Sequence, residues 1–194
     1  MKKLIILLDL DDVLNDQNNL WVQHLNSRFG FCVKYDDISE WNMSKFFPSL
    51  NAKELYEPVL SDQLIHKMTA PPEAKRITNE WNRRGHKIVV TTATSTKNID
   101  SKVDWLYGNY EWFSYEQLIL THRKQLVMGD VLVDDGVHNL IPDVHTRIEP
   151  VYTKLCFDRP WNRSFDCEAN GIARVHSFSE IDEVIRKLEM ASQN

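Results

Sequence analysis

Five consecutive aliphatic residues, Leu4-Ile5-Ile6-Leu7-Leu8, run without a polar interruption into Asp9-Leu10-Asp11-Asp12. An alternating pattern would describe a strand with one wet face. An unbroken run describes a strand covered on both faces, as at the centre of a parallel sheet. Such a strand delivers the residues behind it to the carboxyl edge of the sheet, where open α/β sheets place their ligands. In this chain those residues are acidic. On extended chain, alternate residues point the same way, so Asp9 and Asp11 can both face a crevice. The run is too short for the apolar core of a signal peptide and lacks a cleavage site behind it. No apolar stretch of about 18 residues is present to cross a bilayer. The expectation is a cytoplasmic protein with no membrane partner.

The rest of the chain repeats the same grammar. Pro71-Pro72 should open a helix with Ala74, Ile77 and Trp81 on one face and Gly85 as its stop. Lys87 to Thr92 reads as a second buried strand, and helical spacing returns at Val103 to Tyr107. Leu118 to Leu120 and Val131 to Val133 read as further strands, with another at Val151 to Thr153. Ser179 to Met190 is an amphipathic helix for which Ser177 or Ser179 would serve as N-cap. Strands alternating with helices predict an α/β fold with a Rossmann-like parallel sheet flanked by helices.

One stretch breaks the alternation. Trp21, Leu25 and Phe29 form a helical stripe ending at Gly30, and aromatic residues then mix with polar ones. Residues 18–70 are therefore expected to be a small helical cap inserted after the first strand, with 1–17 and 71–194 forming the core. The chain has 194 residues, 42% of them apolar and 26% charged, which suits one soluble core of this size. Its three cysteines are an odd number, far apart, and without zinc-type spacing. The formal net charge is −5 with no long run of one sign, so nucleic acid is not an expected partner. Association into a homodimer is left open.

The polar residues that trail the strands carry the chemistry. Thr91 and Thr92 end the second strand and can hold phosphate oxygens. Lys124 precedes Val131 to Val133, and Asp134-Asp135 comes directly after it. Taken singly, each has an ordinary structural explanation as turn former, cap or surface charge. Together they place carboxylates on two strand ends of one sheet, an arrangement that is repulsive without a cation between them. Oxygen-only donors favour magnesium over zinc. A phosphate monoester dianion repels anionic nucleophiles, so a carboxylate can attack it only where metal and lysine neutralise the phosphoryl oxygens. A second carboxyl can then protonate the leaving oxygen and later activate water. In the inserted segment, Trp41, Phe46 and Phe47, with Trp21, are candidates to line a substrate pocket. Of the seven histidines, only His138 is expected near the crevice.

The order Asp9-x-Asp11, Thr91-Thr92, Lys124, Asp134-Asp135 resembles the four motifs of the haloacid-dehalogenase-like hydrolases. Within them, Gln117 through Lys124 to Asp134-Asp135, and Asp37-Ile38-Ser39-Glu40-Trp41-Asn42-Met43, are similar to the 5′(3′)-deoxyribonucleotidases. The segment Phe157-Asp158-Arg159-Pro160-Trp161-Asn162-Arg163 is similar to bacterial members. The resemblance implies Asp9 as nucleophile and Asp11 as general acid and base. It implies a magnesium site at Asp9, Asp11 (through its backbone carbonyl), Asp134 and Asp135. Thr91, Thr92, Lys102 and Lys124 would meet the phosphate of a nucleoside monophosphate. Two positions depart from the family: Asp12 stands where Gly or Thr is usual, and Gly136 where the better-known deoxyribonucleotidases carry Arg. Asp12 is compatible with catalysis if its side chain turns outward. Two alternatives stay open: a phosphatase for sugar or other small-metabolite phosphates, and a receiver-like module that accepts a phosphoryl group.

Overall fold

The computed structural model describes residues 2–145 and 147–191. Among them the strands are β1 (Ile5–Leu8), β2 (Lys87–Thr92), β3 (Leu118–Leu120), β4 (Val131–Asp134), β5 (Thr153–Phe157) and β6 (Ala173–Val175). They form one parallel sheet in the order β3-β2-β1-β4-β5-β6. Leu8 is level with Val90 on one side and Val133 on the other. The strand order reverses between β1 and β4. Connections to the two sides diverge there, opening the crevice that binds ligands in open α/β sheets.

The unbroken apolar run of β1 has the consequence expected of it. Leu4, Ile6 and Leu8 join a large core cluster with Ala74, Ile77 and Trp81 of α3 (Pro72–Arg83), and with Phe178, Ile181 and Ile185 of α5 (Phe178–Ala191). Leu7 faces the other way, into a smaller cluster with Leu132, Tyr152 and Cys156. α4 (Ile99–Asn109) buries Trp105 and Leu106 against the large cluster. The α5 start is capped by Ser177, whose Oγ accepts from Glu180 N at 3.2 Å.

Two sheet elements differ from the sequence expectation. The strand expected at Val151 to Thr153 begins only at Thr153 and runs on to Phe157, because Val151 is exposed and only the later residues reach the sheet. β6 had no sequence signal. Its three residues, Ala-Arg-Val, are too few to show a period, and they become a strand by pairing with β5.

Between β1 and α3 the chain forms α1 (Gln17–Phe29), α2 (Ala52–Leu60) and three 3-10 turns. α1 buries Trp21, Val22 and Leu25 and stops at Gly30, whose φ of 74° is the left-handed conformation glycine adopts freely. α2 opens with a reciprocal cap in which Asn51 and Glu54 each accept the other's backbone N–H at 3.0 Å. The segment is bonded to the rest of the molecule at several points. Trp105 Nε1 donates to Met68 O at 3.1 Å, and Asn98 Nδ2 to Val59 O at 3.1 Å. Where the segment leaves and returns, the Asp16 carboxylate accepts both Thr69 N (2.6 Å) and Thr69 Oγ1 (2.8 Å).

Candidate active site

Asp9 continues β1, its N–H donating to Val133 O at 2.9 Å, so the end of the first strand is locked beside the end of the fourth. The carboxylates of Asp9, Asp134 and Asp135 present oxygens within 4.8 Å of one another, and all three residues are buried. Lys124, on a 3-10 turn after β3, enters between two of them. Its Nζ donates to Asp9 Oδ1 at 2.5 Å and to Asp134 Oδ2 at 2.6 Å. The turn is anchored by Gln125, whose Nε2 donates to His138 O and Ile141 O in the loop beyond β4. Asp134 Oδ1 accepts from Gly136 N at 2.8 Å and from Asn139 Nδ2 at 3.0 Å. Asp135 Oδ2 accepts the indole N–H of Trp161 at 2.9 Å.

Charge in this cluster is unbalanced. Three carboxyls face one ammonium, so full ionisation would leave two negative charges without a partner. Burial pushes the Asp9 carboxyl up to about 7, against the pull of Lys124. Burial, followed by the charges of Asp9 and Asp134, holds Asp135 well above the usual carboxylate range. Burial alone would lower Lys124, but Asp134 and Asp9 outweigh it and keep the ammonium charged. A divalent cation among the three carboxylates would cancel the residual charge. A donor set made only of oxygens suits a hard ion.

Asp11 stands apart from that trio. Its Oδ1 accepts from Asn15 Nδ2 at 3.0 Å and its Oδ2 from Lys102 Nζ at 2.5 Å. Lys102, expected at the phosphate, is thus a buried partner of Asp11. Asp12 differs from expectation too: it does not turn outward. Its φ is 61°, a left-handed conformation that Gly adopts freely and Asp tolerates. Its carboxylate accepts from Asn18 N at 3.0 Å in the first turn of α1. Burial raises that carboxyl to about 8 despite Arg159, whose Nε donates to Asp12 O at 2.8 Å.

A cleft of about 520 Å³ opens above these groups, between the sheet edge and the inserted segment. Thr92 lines it, but Thr91 does not; Thr91 is fully buried with its hydroxyl 3.5 Å from Leu8 O. On the far wall Trp41 is 59% exposed and packs edge to face on His138 and Trp161. Trp21 and Tyr56 also line the cleft. The other two cap aromatics correct the sequence reading. Phe47 is fully buried, edge to face with Phe31, and Phe46 packs half-buried against the same core. Both rings go into the apolar core that the inserted segment shares with the rest of the molecule. The histidines need revision as well: His122 lines the cleft in addition to His138, and His86 is buried at the other end of β2.

Several residues of the site carried no assigned role in the sequence reading. Asn15, Asn139 and Trp161 act through single hydrogen bonds to Asp11, Asp134 and Asp135, and no spacing rule marks such partners. The one visible signal was the dense Arg159-Pro160-Trp161-Asn162 segment, where a proline opens a turn.

A parallel sheet reversing at β1/β4, with carboxylates on both strand ends and a lysine between them, defines a haloacid-dehalogenase-like hydrolase. Solved structures of that class share the fold. One is a family hydrolase from Deinococcus radiodurans R1, crystallised with phosphate and sodium: TM-score 0.62, 13% identity, 94% of this chain and 95% of that one. Another is a haloacid dehalogenase-like protein of Agrobacterium tumefaciens: TM-score 0.63, 14% identity, 97% of this chain and all of that one. Within the class, the chain belongs to the family described as 5′ nucleotidase, deoxy (Pyrimidine), cytosolic type C protein, whose model matches residues 3–191. It is 30% identical over 183 residues to the 5′(3′)-deoxyribonucleotidase of Bacillus subtilis (strain 168), covering 94% of this chain and 98% of that one. The 5′(3′)-deoxyribonucleotidase of Clostridium acetobutylicum is 26% identical over 140 residues, 72% of this chain and 77% of its own. The chain is accordingly a phosphoric monoester hydrolase of the 5′-nucleotidase type.

Proposed function

We propose that the protein is a magnesium-dependent nucleotidase that removes phosphate from deoxynucleoside monophosphates through a phosphorylated Asp9. The observation that carries this reading is the cluster of Asp9, Asp134 and Asp135 around Lys124 at the floor of a cleft rimmed by Trp41. When bound, magnesium supplies neutralisation of the phosphoryl oxygens and orients the ester. Asp9, Asp134 and Asp135 would hold it by their carboxylates and Asp11 by its backbone carbonyl.

The chain's own residues do the rest. Asp9, at the strand end, attacks phosphorus in line with the leaving oxygen, and the P–O ester bond breaks as the acyl-phosphate forms. Lys124 balances charge on the transferred group and Thr92 holds one of its oxygens. Asp11, oriented by Asn15 and entering the cycle protonated, delivers its proton to the leaving alkoxide. It then takes a proton from the water that releases phosphate and restores Asp9. The inserted segment acts as a cap, keeping bulk water from the acyl-phosphate. Trp41 offers a face for the base.

A panel of phosphate monoesters tests the reading by phosphate release. Stacking on one aromatic is worth on the order of 1–3 kcal/mol. Deoxynucleoside monophosphates should therefore exceed hexose and triose phosphates by at least about tenfold in kcat/KM. A sugar phosphate that matches the best nucleotide leaves a phosphatase but removes the nucleotidase. Labelling by a small phosphodonor without steady phosphate release would point instead to a receiver-like module.

A further inference from the structure

We propose that Trp161 is a positioning residue whose indole N–H sets the carboxylate of Asp135 and ties it to the aromatic rim of the cleft. The inference rests on the metal-binding role proposed for Asp135. Asp135 is the carboxylate of the trio that Lys124 does not touch: the ammonium bonds Asp9 and Asp134 only. Side-chain rotation of Asp135 would carry it away from its two like-charged neighbours, and repulsion favours that rotation. The Trp161 Nε1–H donation to Oδ2 at 2.9 Å opposes it.

The donor is itself held rigidly. Trp161 is buried on the 3-10 turn Pro160–Asn162. Asn162 Nδ2 donates to the backbone carbonyl of Asp135 at 2.9 Å and to that of Phe157 at 2.8 Å. Asn162 Oδ1 accepts from Arg174 Nη1 at 2.6 Å. The turn and the carboxylate it addresses are therefore one fixed unit. The indole also meets the inserted segment: Tyr35 lies edge to face at 5.8 Å between ring centroids, and Trp41 at 6.3 Å. A phenyl ring could serve both of those contacts. Only the indole also brings a donor to Asp135, which gives position 161 a chemical reason to be tryptophan.

Trp161→Phe separates the two functions, because it keeps a ring and removes the N–H. Partners of metal ligands typically contribute 10–100-fold to affinity. Calorimetric titration of the substrate-free protein should show magnesium binding weakened by at least about tenfold in Trp161→Phe, with an unchanged circular dichroism spectrum. At saturating magnesium the KM for a deoxynucleotide should stay within about twofold of wild type, since the rim is retained. A folded Trp161→Phe that binds magnesium like the wild type overturns the proposal. A measurement on the wild type guards against a variant that does not fold. The indole Nε1–H resonance of Trp161 should shift on addition of magnesium, and a resonance unmoved at saturation also overturns it. No substrate enters either measurement, so an error in the substrate assignment does not affect them. A wild type that binds no magnesium removes the metal reading and this proposal together.

Discussion

Asp9 and Asp12 are both buried carboxylates with raised pKa values, yet their surroundings assign them different work. Asp9 faces Lys124 and two further carboxylates across the cleft floor, where the proposed mechanism needs an anionic nucleophile. Asp12 spends its carboxylate on the first turn of α1, where the helix dipole welcomes negative charge. Asp9→Asn should fold normally and lose more than about 10³-fold in kcat, because an amide cannot serve as the nucleophile. Retention of a tenth of the wild-type rate in a phosphate-release assay would exclude covalent catalysis by Asp9. The cap aromatics invite a second comparison. Phe47→Ala should lower unfolding free energy by about 3–5 kcal/mol in urea titrations, the usual cost of emptying a buried aromatic site. Trp41→Ala should leave stability within about 1 kcal/mol and lower nucleotide kcat/KM roughly tenfold, sparing a generic aryl phosphate. Composition alone could not have told these aromatics apart. Phe46, Phe47 and Trp41 sit in one short stretch of sequence, and only packing shows which ring faces the cleft.

Among the elements, β1, β2, β3 and β4 were legible to within a residue: β1, β2 and β4 lie inside the sheet and write unbroken apolar runs, and the edge strand β3 shows as Leu-Ile-Leu although two of its residues are exposed. The start of β5 was not, since Val151 ahead of it is apolar yet exposed, nor was β6, a three-residue edge strand that owes its existence to a neighbour already in place. The crossing from α3 into β2 contains a buried histidine that no pattern announced. His86 Nδ1 accepts from Leu4 N at 3.1 Å, and its Nε2 lies 2.8 Å from Glu189 Oε1. That pairing requires the neutral ring, with the proton on Nε2 donated to Glu189. Burial lowers the pKa of His86, with Arg84 acting in the same direction and Glu189 opposing. Below the ordinary histidine value of about 6.5 the unfolded chain binds a proton that the folded chain resists. The stability His86 contributes is therefore complete above that value and is lost as pH falls toward its lowered folded value. Between pH 7.5 and 5.5 the urea midpoint of the wild type should move downward relative to that of His86→Gln. Taking the difference between the two proteins cancels the carboxylates of the crevice, which titrate in the opposite sense. Equal pH dependence in both would mean that His86 does not titrate as described.

At the scale of the whole molecule, three buried carboxyls gathered against one ammonium in the floor of the cleft are a standing cost of folding. A cation that binds only the native arrangement stabilises it by about 2.7 kcal/mol at a hundred times its dissociation constant. For a chain of this size that corresponds to a rise in Tm on the order of 5–10 °C. Thermal melts should show that shift between chelator and excess magnesium, with a smaller one for Asp135→Asn; identical melts would mean that the carboxylates hold no cation. Calcium should support turnover less well than magnesium, since its longer bonds and larger shell fit a compact site poorly. The class of fold and the placing of carboxylates were legible because strand ends map directly onto sequence. The partners Asn15, Asn139 and Trp161 were not: the two asparagines fold back on carboxylates of their own loops, Trp161 comes from another, and no sequence period marks such bonds. The joint at Asp16 and Thr69 has a consequence of its own. One carboxylate clasps the outgoing and returning chain together, so the sheet meets the inserted segment as it would a single short turn. The closure entropy of a loop rises only slowly with its length, and here its two ends are already tethered. Such a socket can take plugs of different size and lining without disturbing the catalytic floor, so substrate choice and bond-breaking can diverge independently over the history of the chain.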